Sequence, residues 1–349
     1  MLKEHGQSFR DLYESLGTEK LLLKISDLME KKGDTPAQLM PEDFSIREIK
    51  EAVDPTAFPL ITGQLISKKV MDAYTLHTKV GDMLTTRMPS SLQVDKVTGI
   101  TEAGEMKKVK PGMPYEHTGD LGEKWVQIEG DKYGKILDIT DEVVRFDQTG
   151  KILMRAGQIG AGAAAFREKH ILYTIQDIAG YRAYYPSGAV ADLYSEGHAN
   201  ILSNKLEDHT DLDAAFVLLG AMEDEKENPI VVMPNTILVP TALFTIANTL
   251  YKSAVVVGGA NAQPNPFAGV FNPVSSPYLQ KQSAVKWYLG NFKQQFVWKE
   301  IFPMQVLTRK SNDNEAAWER DIKASFKVRY FGECGAIDYR FVARSSGTV

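Results

Sequence analysis

Residues 146–179 read FDQTGKILMRAGQIGAGAAAFREKHILYTIQDIA, and the apolar positions in them leave one interpretation. Ile152, Ala156, Ile159, Ala163, Phe166, Ile171, Ile175 and Ile178 recur mostly three or four apart, the period of one helix face. The spacing predicts a single helix of about 30 residues, roughly 45 Å long at 1.5 Å per residue. An average helix has about 11–12 residues, so this one reads as a strut. Gly157, Gly160 and Gly162 lie at its middle, where missing side chains let another element pack closely. They also make a GxxGxG run, but a dinucleotide fingerprint follows a strand and opens a helix, whereas these glycines lie inside one.

Upstream, residues 93–134 are rich in Gly and Lys and poor in apolar runs, apart from Trp125, Val126 and Ile128. They read as a long two-stranded excursion, the kind of segment that serves contacts outside a compact core. Further back, Phe9, Leu12, Tyr13 and Leu16 fall at helical spacing, with Ser8 and Asp11 resembling a capping box. Leu22, Ile25 and Met29 continue the pattern toward Gly33, and Ser45 with Glu48 opens a short helix that stops before Asp54-Pro55. Narrow apolar stripes split by turn residues suit an arm lying on another surface.

Downstream, Leu212, Ala215, Leu218, Leu219 and Met222 predict a helix over 211–224, followed by a buried strand at Pro229–Met233. Ile237–Val239 reads as a strand and Thr241–Leu250 as a helix with Thr241 near its N-cap. Residues 261–279, NAQPNPFAGVFNPVSSPYL, carry four prolines and three asparagines. Proline has no N–H to give to a ladder, so this run takes an irregular path along a surface or sheet edge. At the end of the chain Phe326, Val328 and Tyr330 alternate with Lys327 and Arg329, and Ile337, Tyr339 and Phe341 resume the alternation. Between them a bulge or turn is expected at Glu333–Gly335.

Composition excludes several functions. A net charge of −5 argues against tight, non-specific nucleic-acid binding as the main activity. The single cysteine, Cys334, permits no internal disulfide and reads as a small buried hydrophobe. No secretory h-region and no 18-residue apolar run is present. The six histidines form no HxH or HxxxH pair, so no metal is expected. Asp192, Ser195 and His198 lie close in sequence, but a triad is assembled by the fold, and capping or solvated roles fit them better. DITDEVV (138–144) and EDEKE (223–227) read as solvated or helix-start charges. VVVGGA (255–260) ends in glycines with no following Lys-Ser/Thr, so it reads as strand and loop. No catalytic, cofactor-binding or metal-ligating residue is nominated. What remains is mechanical: an arm, a ribbon, a strut, an α/β lobe and closing strands, several without a core of their own.

In that order the parts resemble the major capsid proteins of tailed phages with the Hong Kong 97-type fold. ADLYSEGHANIL (191–202), PNTILVPTALFTIANTL (234–250), NPFAGVFNPVSSPYL (265–279), KWYLGN (286–291) and FGECGAIDYRFVARSSG (331–347) are similar to the Mu-type head-subunit group. The resemblance implies an α+β fold divided into an N-arm (1–60), a first part of the P-domain (61–92) and an E-loop (93–133). A P-domain strand and spine helix (134–180), a mixed α/β A-domain (181–304) and C-terminal P-domain strands (305–349) would follow. It implies a non-enzymatic shell subunit of an icosahedral head, assembled in the bacterial cytoplasm. Its partners would be copies of itself in hexamers and pentamers, portal, scaffolding and decoration proteins, and double-stranded DNA held weakly. No cofactor or membrane is implied.

Candidate assembly contacts are Phe9, Leu12 and Leu16 in the arm, Lys107, Lys108, Lys110 and Trp125 in the E-loop, and Pro266, Phe267, Phe271 and Pro273 in the A-domain. Changing Phe267 or Phe271 to Ser is expected to block assembly while leaving soluble subunits. No leading scaffolding segment is expected to be cleaved. Lys107, Lys108 or Lys110 with Asn312 or Asn314 could supply the residue types of the family's crosslink, but charged loops commonly carry both, and none is expected. Rival readings are a nanocompartment shell enclosing a cargo enzyme, which the helical N-terminus disfavours, and a nucleotide-binding α/β enzyme.

Overall fold

The computed structural model describes residues 58–77, 80–98, 108–110, 112, 125–140, 142, 149–224, 227–255, 264–310 and 321–348. The helices expected over 8–31 and 45–53 lie outside them. In chain order come α1 (Phe58–His77), α2 (Val80–Leu84), β1 (Thr86–Pro89), β2 (Val94–Thr98), β3 (Trp125–Glu129) and β4 (Lys132–Thr140). Then follow α3 (Thr149–Ile175), β5 (Ile201–Leu202), α4 (His209–Gly220), β6 (Thr236–Pro240), α5 (Phe244–Lys252) and β7 (Asn272–Ser276). The chain closes with α6 (Pro277–Gln282), β8 (Trp287–Gly290), α7 (Phe292–Gln295), β9 (Phe296–Lys310), β10 (Ile322–Ala336) and β11 (Val342–Ser345). This is a mixed helix-and-strand architecture, the α+β class expected from the sequence. Two compact units divide it: Met1–Thr78, Lys132–Phe166 and Phe302–Phe331 form the first, and Lys79–Asp131, Arg167–Ile301 and Gly332–Val349 the second.

The strut is present as α3, 27 residues long. In the first unit it packs on α1 at one glycine only. A side chain on Gly160 would meet the Val70 carbonyl, whereas Gly157 and Gly162 have nothing within 4 Å of the Cβ position. The close approach expected at all three therefore belongs to Gly160 alone. β4 pairs antiparallel with β10 from Phe331↔Lys132 to Ile322↔Thr140, with a register shift between Ile322 and Ala324. Residues paired across that ladder share a sheet face, so Leu137, Ile139, Phe326 and Val328 are buried together. The Tyr133 ring lies 5.0 Å from Phe166 and 5.3 Å from Tyr330.

In the second unit five strands pair in the order β5-β11-β8-β6-β7. β6 is parallel to β7 and antiparallel to β8, and β11 is antiparallel to β8 and parallel to β5. Ile237, Val239, Trp287, Leu289, Phe341 and Ala343 form the core with Leu212, Ala215 and Leu219 of α4 and Ala247 and Leu250 of α5. α4 starts two residues before its expected beginning because Asp208 and Asp211 form a capping box. Thr241 does not cap α5: Thr241–Leu243 is a 3₁₀ turn, and its Ala242 N–H donates to Gln280 Oε1.

Two other expectations fail, both at punctuating residues. Pro229–Met233 forms no strand, only an isolated bridge between Glu223 and Pro229. Prolines at 229 and 234 remove N–H donors from both ends of this short run, although Val232 still enters the core while Val231 and Met233 stay outside. β10 runs unbroken through Glu333–Gly335. Its glycines mark close approach: a Cβ on Gly332 would meet the Lys299 carbonyl, and one on Gly335 would meet Ile128. The turn comes later, where Asp338 Oδ1 accepts from Tyr339 N at 2.6 Å and Arg340 N at 3.2 Å.

Candidate assembly surfaces

The excursion expected over 93–134 is a two-stranded ribbon at its described end, where β2 and β3 pair from Val94↔Glu129 to Thr98↔Trp125. Trp125 is half-buried against its own chain. Its carbonyl accepts from Ser187 N at 2.9 Å, Gly188 lies 3.2 Å from its ring as a Cβ would be placed, and Lys96 Nζ stands 4.1 Å from the ring centroid. Lys108 and Lys110 are exposed. Lys107, Phe9, Leu12, Leu16, Asn312 and Asn314 lie outside the described residues.

At the ribbon's root sits a charge that hydropathy does not reveal. Lys299 of β9 is fully buried, and its ammonium reaches Gln93 O at 2.9 Å, Ile128 O at 3.0 Å and the Asp95 carboxylate at 2.9 Å. Partial burial works against ionisation of Asp95, but hydrogen bonds from Ser90 and Lys299 hold its carboxyl below the ordinary value. Nearby, His170 Nε2 meets Glu333, and buried Glu168 accepts from Gly81 N at 2.8 Å.

The Pro/Asn path is organised by one side chain. Asn265 donates to Leu250 O at 2.7 Å and Ser253 O at 2.9 Å and accepts from Phe267 N at 3.0 Å. That holds Phe267 and Phe271 inward, 5.3 Å apart and stacked in the sheet core at 9% and 2% exposure. Side chains sealed in the subunit's own core cannot be contacts between subunits, so the role expected for these two residues is corrected. Pro266 remains exposed. Pro273 lies in β7, the edge strand, opposite Ile237. Asn272 N donates inward to Asn235 O at 2.9 Å; successive residues face opposite sides, so the ring nitrogen of Pro273 points away from β6 and leaves a gap in the donor row of the open edge.

Exposed apolar residues that the sequence did not nominate include Val231 at 83%, Met233 at 74%, Leu76 at 71% and Val217 at 61%; the prolines bracketing Val231 and Met233 were a signal for those two, and nothing in the sequence marked Val217. In the first unit a cleft of about 560 Å³ lies between α3 and the sheet, with Ile136, Phe166 and Met304 in its lining and Lys135, Arg155 and Arg329 as its cations.

The groups weighed for chemistry take structural roles. Ser195 Oγ caps a 3₁₀ turn by accepting from His198 N, His198 stacks on Tyr339 at 4.0 Å, and Asp192 pairs with Arg182 at 2.6 Å. Burial, reinforced by neighbouring Glu333, pushes the Cys334 thiol well above its ordinary range despite a hydrogen bond with Thr174. Among the described residues, no three His, Cys, Asp or Glu side chains converge as a metal site, and no helix is long and apolar enough to cross a membrane.

Comparison with curated proteins finds no match. Among solved structures the chain is similar to the capsid of cyanophage P-SCSP1u, with 14% identity, 77% of this chain and 87% of that chain covered, and a TM-score of 0.48. It is also similar to a chain of Mycobacterium phage Ogopogo (11% identity, 77% and 92% covered, TM-score 0.46) and to the procapsid of bacteriophage JBD30 (13% identity, 84% and 76% covered, TM-score 0.43). Residues 125–345, more than half of the chain, match the phage capsid protein family, and with the strut, the ribbon strand β3 and the closing strands all inside that span, the chain belongs to the phage capsid protein family.

Proposed function

We propose that the chain is the repeating subunit of a tailed-phage head, a structural and non-enzymatic protein that assembles into a closed icosahedral shell around double-stranded DNA. The observation that carries this reading is the family match over residues 125–345. Within that reading, residues 1–60 serve as N-arm, 93–133 as E-loop and 181–304 as A-domain, with the P-domain formed by 61–92, 134–180 and 305–349. The Mu-type head subunits are the proposed subgroup, on the motifs at 191–202, 234–250, 265–279, 286–291 and 331–347.

Copies in hexamers and pentamers are the principal partners. Portal, scaffolding and decoration proteins are further ones, with assembly in the bacterial cytoplasm and a virion destination. The net charge of −5 suits an inner wall that holds packed DNA without binding it tightly. Lys108, Lys110, Pro266 and Pro273 are the proposed contacts among the described residues.

Electron microscopy and size-exclusion chromatography of the protein expressed alone and with its phage's scaffolding protein test this. Closed shells of uniform diameter are expected in at least one condition. Small monodisperse oligomers in both would overturn the reading.

A further inference from the structure

We propose that Lys299 is the positioning residue of the β2–β3 ribbon, a buried ammonium that clamps both ribbon strands to β9 and so presets the direction in which the ribbon leaves it.

The path of the chain around this residue is closed on every side. β1 runs parallel to β9, with Met88 opposite Lys299. Just beyond, Ser90 N donates to Glu300 O at 3.0 Å, and Arg87 pairs with Glu300. The chain then turns, and within five residues of Ser90 it returns Gln93 O and Asp95 to the ammonium, while β3 supplies Ile128 O. Gly130 N closes the base by donating to Gln93 O at 2.8 Å. On the far side of the root, the missing side chain of Gly335 makes room for Ile128, whose Cδ1 would lie 2.6 Å from a Cβ there.

An ammonium has three donors and no acceptor, and here three oxygens surround it, from Gln93 just before β2, Asp95 in β2 and Ile128 in β3. An apolar side chain of the same length would fill this space without demanding any particular neighbour, and such replacements for buried ion pairs often match or exceed them in stability. What the charge adds is direction. Slipping β2 or β3 by one residue, or tilting the ribbon off β9, would leave a dry ammonium without its oxygens, and fixing register is the best-attested use of buried polar groups. A one-residue slip would also turn every ribbon side chain to the opposite face. Any change in the ribbon's course must therefore occur outside the clamped residues.

The consequence for shell assembly rests on the proposed E-loop role of the ribbon; the clamp itself does not. Amide hydrogen exchange on the isolated full-length subunit therefore comes first, comparing wild type with Lys299→Met and Asp95→Asn. In Lys299→Met, amides of residues 94–98 and 125–129 are expected to exchange at least about tenfold faster while those of 236–240 and 287–290 keep their rates, because local opening is set by local contacts. Asp95→Asn removes the one formal charge among the three oxygens while keeping an oxygen in place, and is expected to produce a smaller acceleration at the same amides. Unchanged ribbon rates in a folded Lys299→Met, or an equal acceleration throughout the second unit, would overturn the clamp. If Lys299→Met does not fold, Asp95→Asn decides by the same criterion. Imaging follows: if wild type forms uniform shells, Lys299→Met is expected to give shells of scattered diameter. Uniform shells from a variant with loosened ribbon amides would leave the clamp standing and remove its role in assembly.

Discussion

The five-stranded sheet and the C-terminal half of α3 are both buried, and they achieve it by opposite means. In the sheet, aliphatic and aromatic side chains from β6, β8, β11, α4 and α5 fill the space, and almost any pair of them is in contact through others. Along the end of α3 and the residue that follows it, buried Glu168, His170, Thr174 and Gln176 alternate with Ile171, Leu172 and Ile175, and each polar group needs a particular partner. Glu168 finds Gly81, 87 residues away, and His170 finds Glu333, 163 residues away. An apolar core penalises lost volume, whereas a polar one penalises lost identity. Five substitutions test this contrast and its margins.

The largest effect is expected at Phe271→Ser. Removing a stacked ring from the sheet core and leaving a hydroxyl there should cost about 3–5 kcal/mol, lowering Tm by on the order of 10 °C and sending most of the protein to the insoluble fraction. Soluble subunits with a wild-type melting curve would mean that Phe271 is not a core residue.

Next is Gly160→Ala, expected to destabilise by about 1–3 kcal/mol because the methyl group meets the Val70 backbone and α1 must shift. Gly162→Ala, two residues away with open space above it, should instead stabilise by about 0.5–1 kcal/mol through a less flexible unfolded chain. Paired thermal melts distinguish the sites, and equal effects would erase the contrast.

A smaller change, and one of opposite sign, is expected at Glu168→Gln. Burial raises the Glu168 carboxyl above its ordinary value of 4.5, the Gly81 N–H opposes this, Asp82 adds to it and Arg167 relieves it. Because the folded-state value is raised, the contribution of this group is full below about 4.5 and is lost as pH rises through the folded value. Wild type and Glu168→Gln should melt together in acid, with the glutamine variant pulling ahead by a few degrees toward neutral pH. A constant gap across the titration would show that the carboxyl does not titrate in this window.

The smallest effect on stability belongs to Pro273→Thr, within about 0.5 kcal/mol for a half-buried edge position. Its signature is association. Restoring an outward N–H completes the donor row of β7 and invites edge-to-edge pairing, so light scattering should rise with concentration more steeply than in wild type.

Legibility in the sequence followed the same division. The strut was readable because Ile152, Ala156, Ile159 and Ile171 share one face at helical spacing, and β10 because Phe326, Val328 and Tyr330 alternate with charges. Gly332 and Gly335 were misread as a turn, since a missing side chain looks the same in sequence whether it bends a strand or admits Ile128. Phe267 and Phe271 were misread as surface because a proline-rich path suggests exposure, and only the hydrogen bonds of Asn265 to Leu250 and Ser253 turn it inward. Lys299 was invisible: its oxygens come from residues as far as 206 positions away, and no local pattern marks a lysine that will be buried.

The chain's sole thiol, Cys334, is sealed inside β10 with its ionisation suppressed. Each subunit is therefore chemically silent toward thiol reagents while folded and reactive once β10 opens. A cysteine introduced at any exposed position would be the one labelled site per copy, so dye stoichiometry would count subunits in a particle, and slow appearance of a second dye would time the opening of individual subunits.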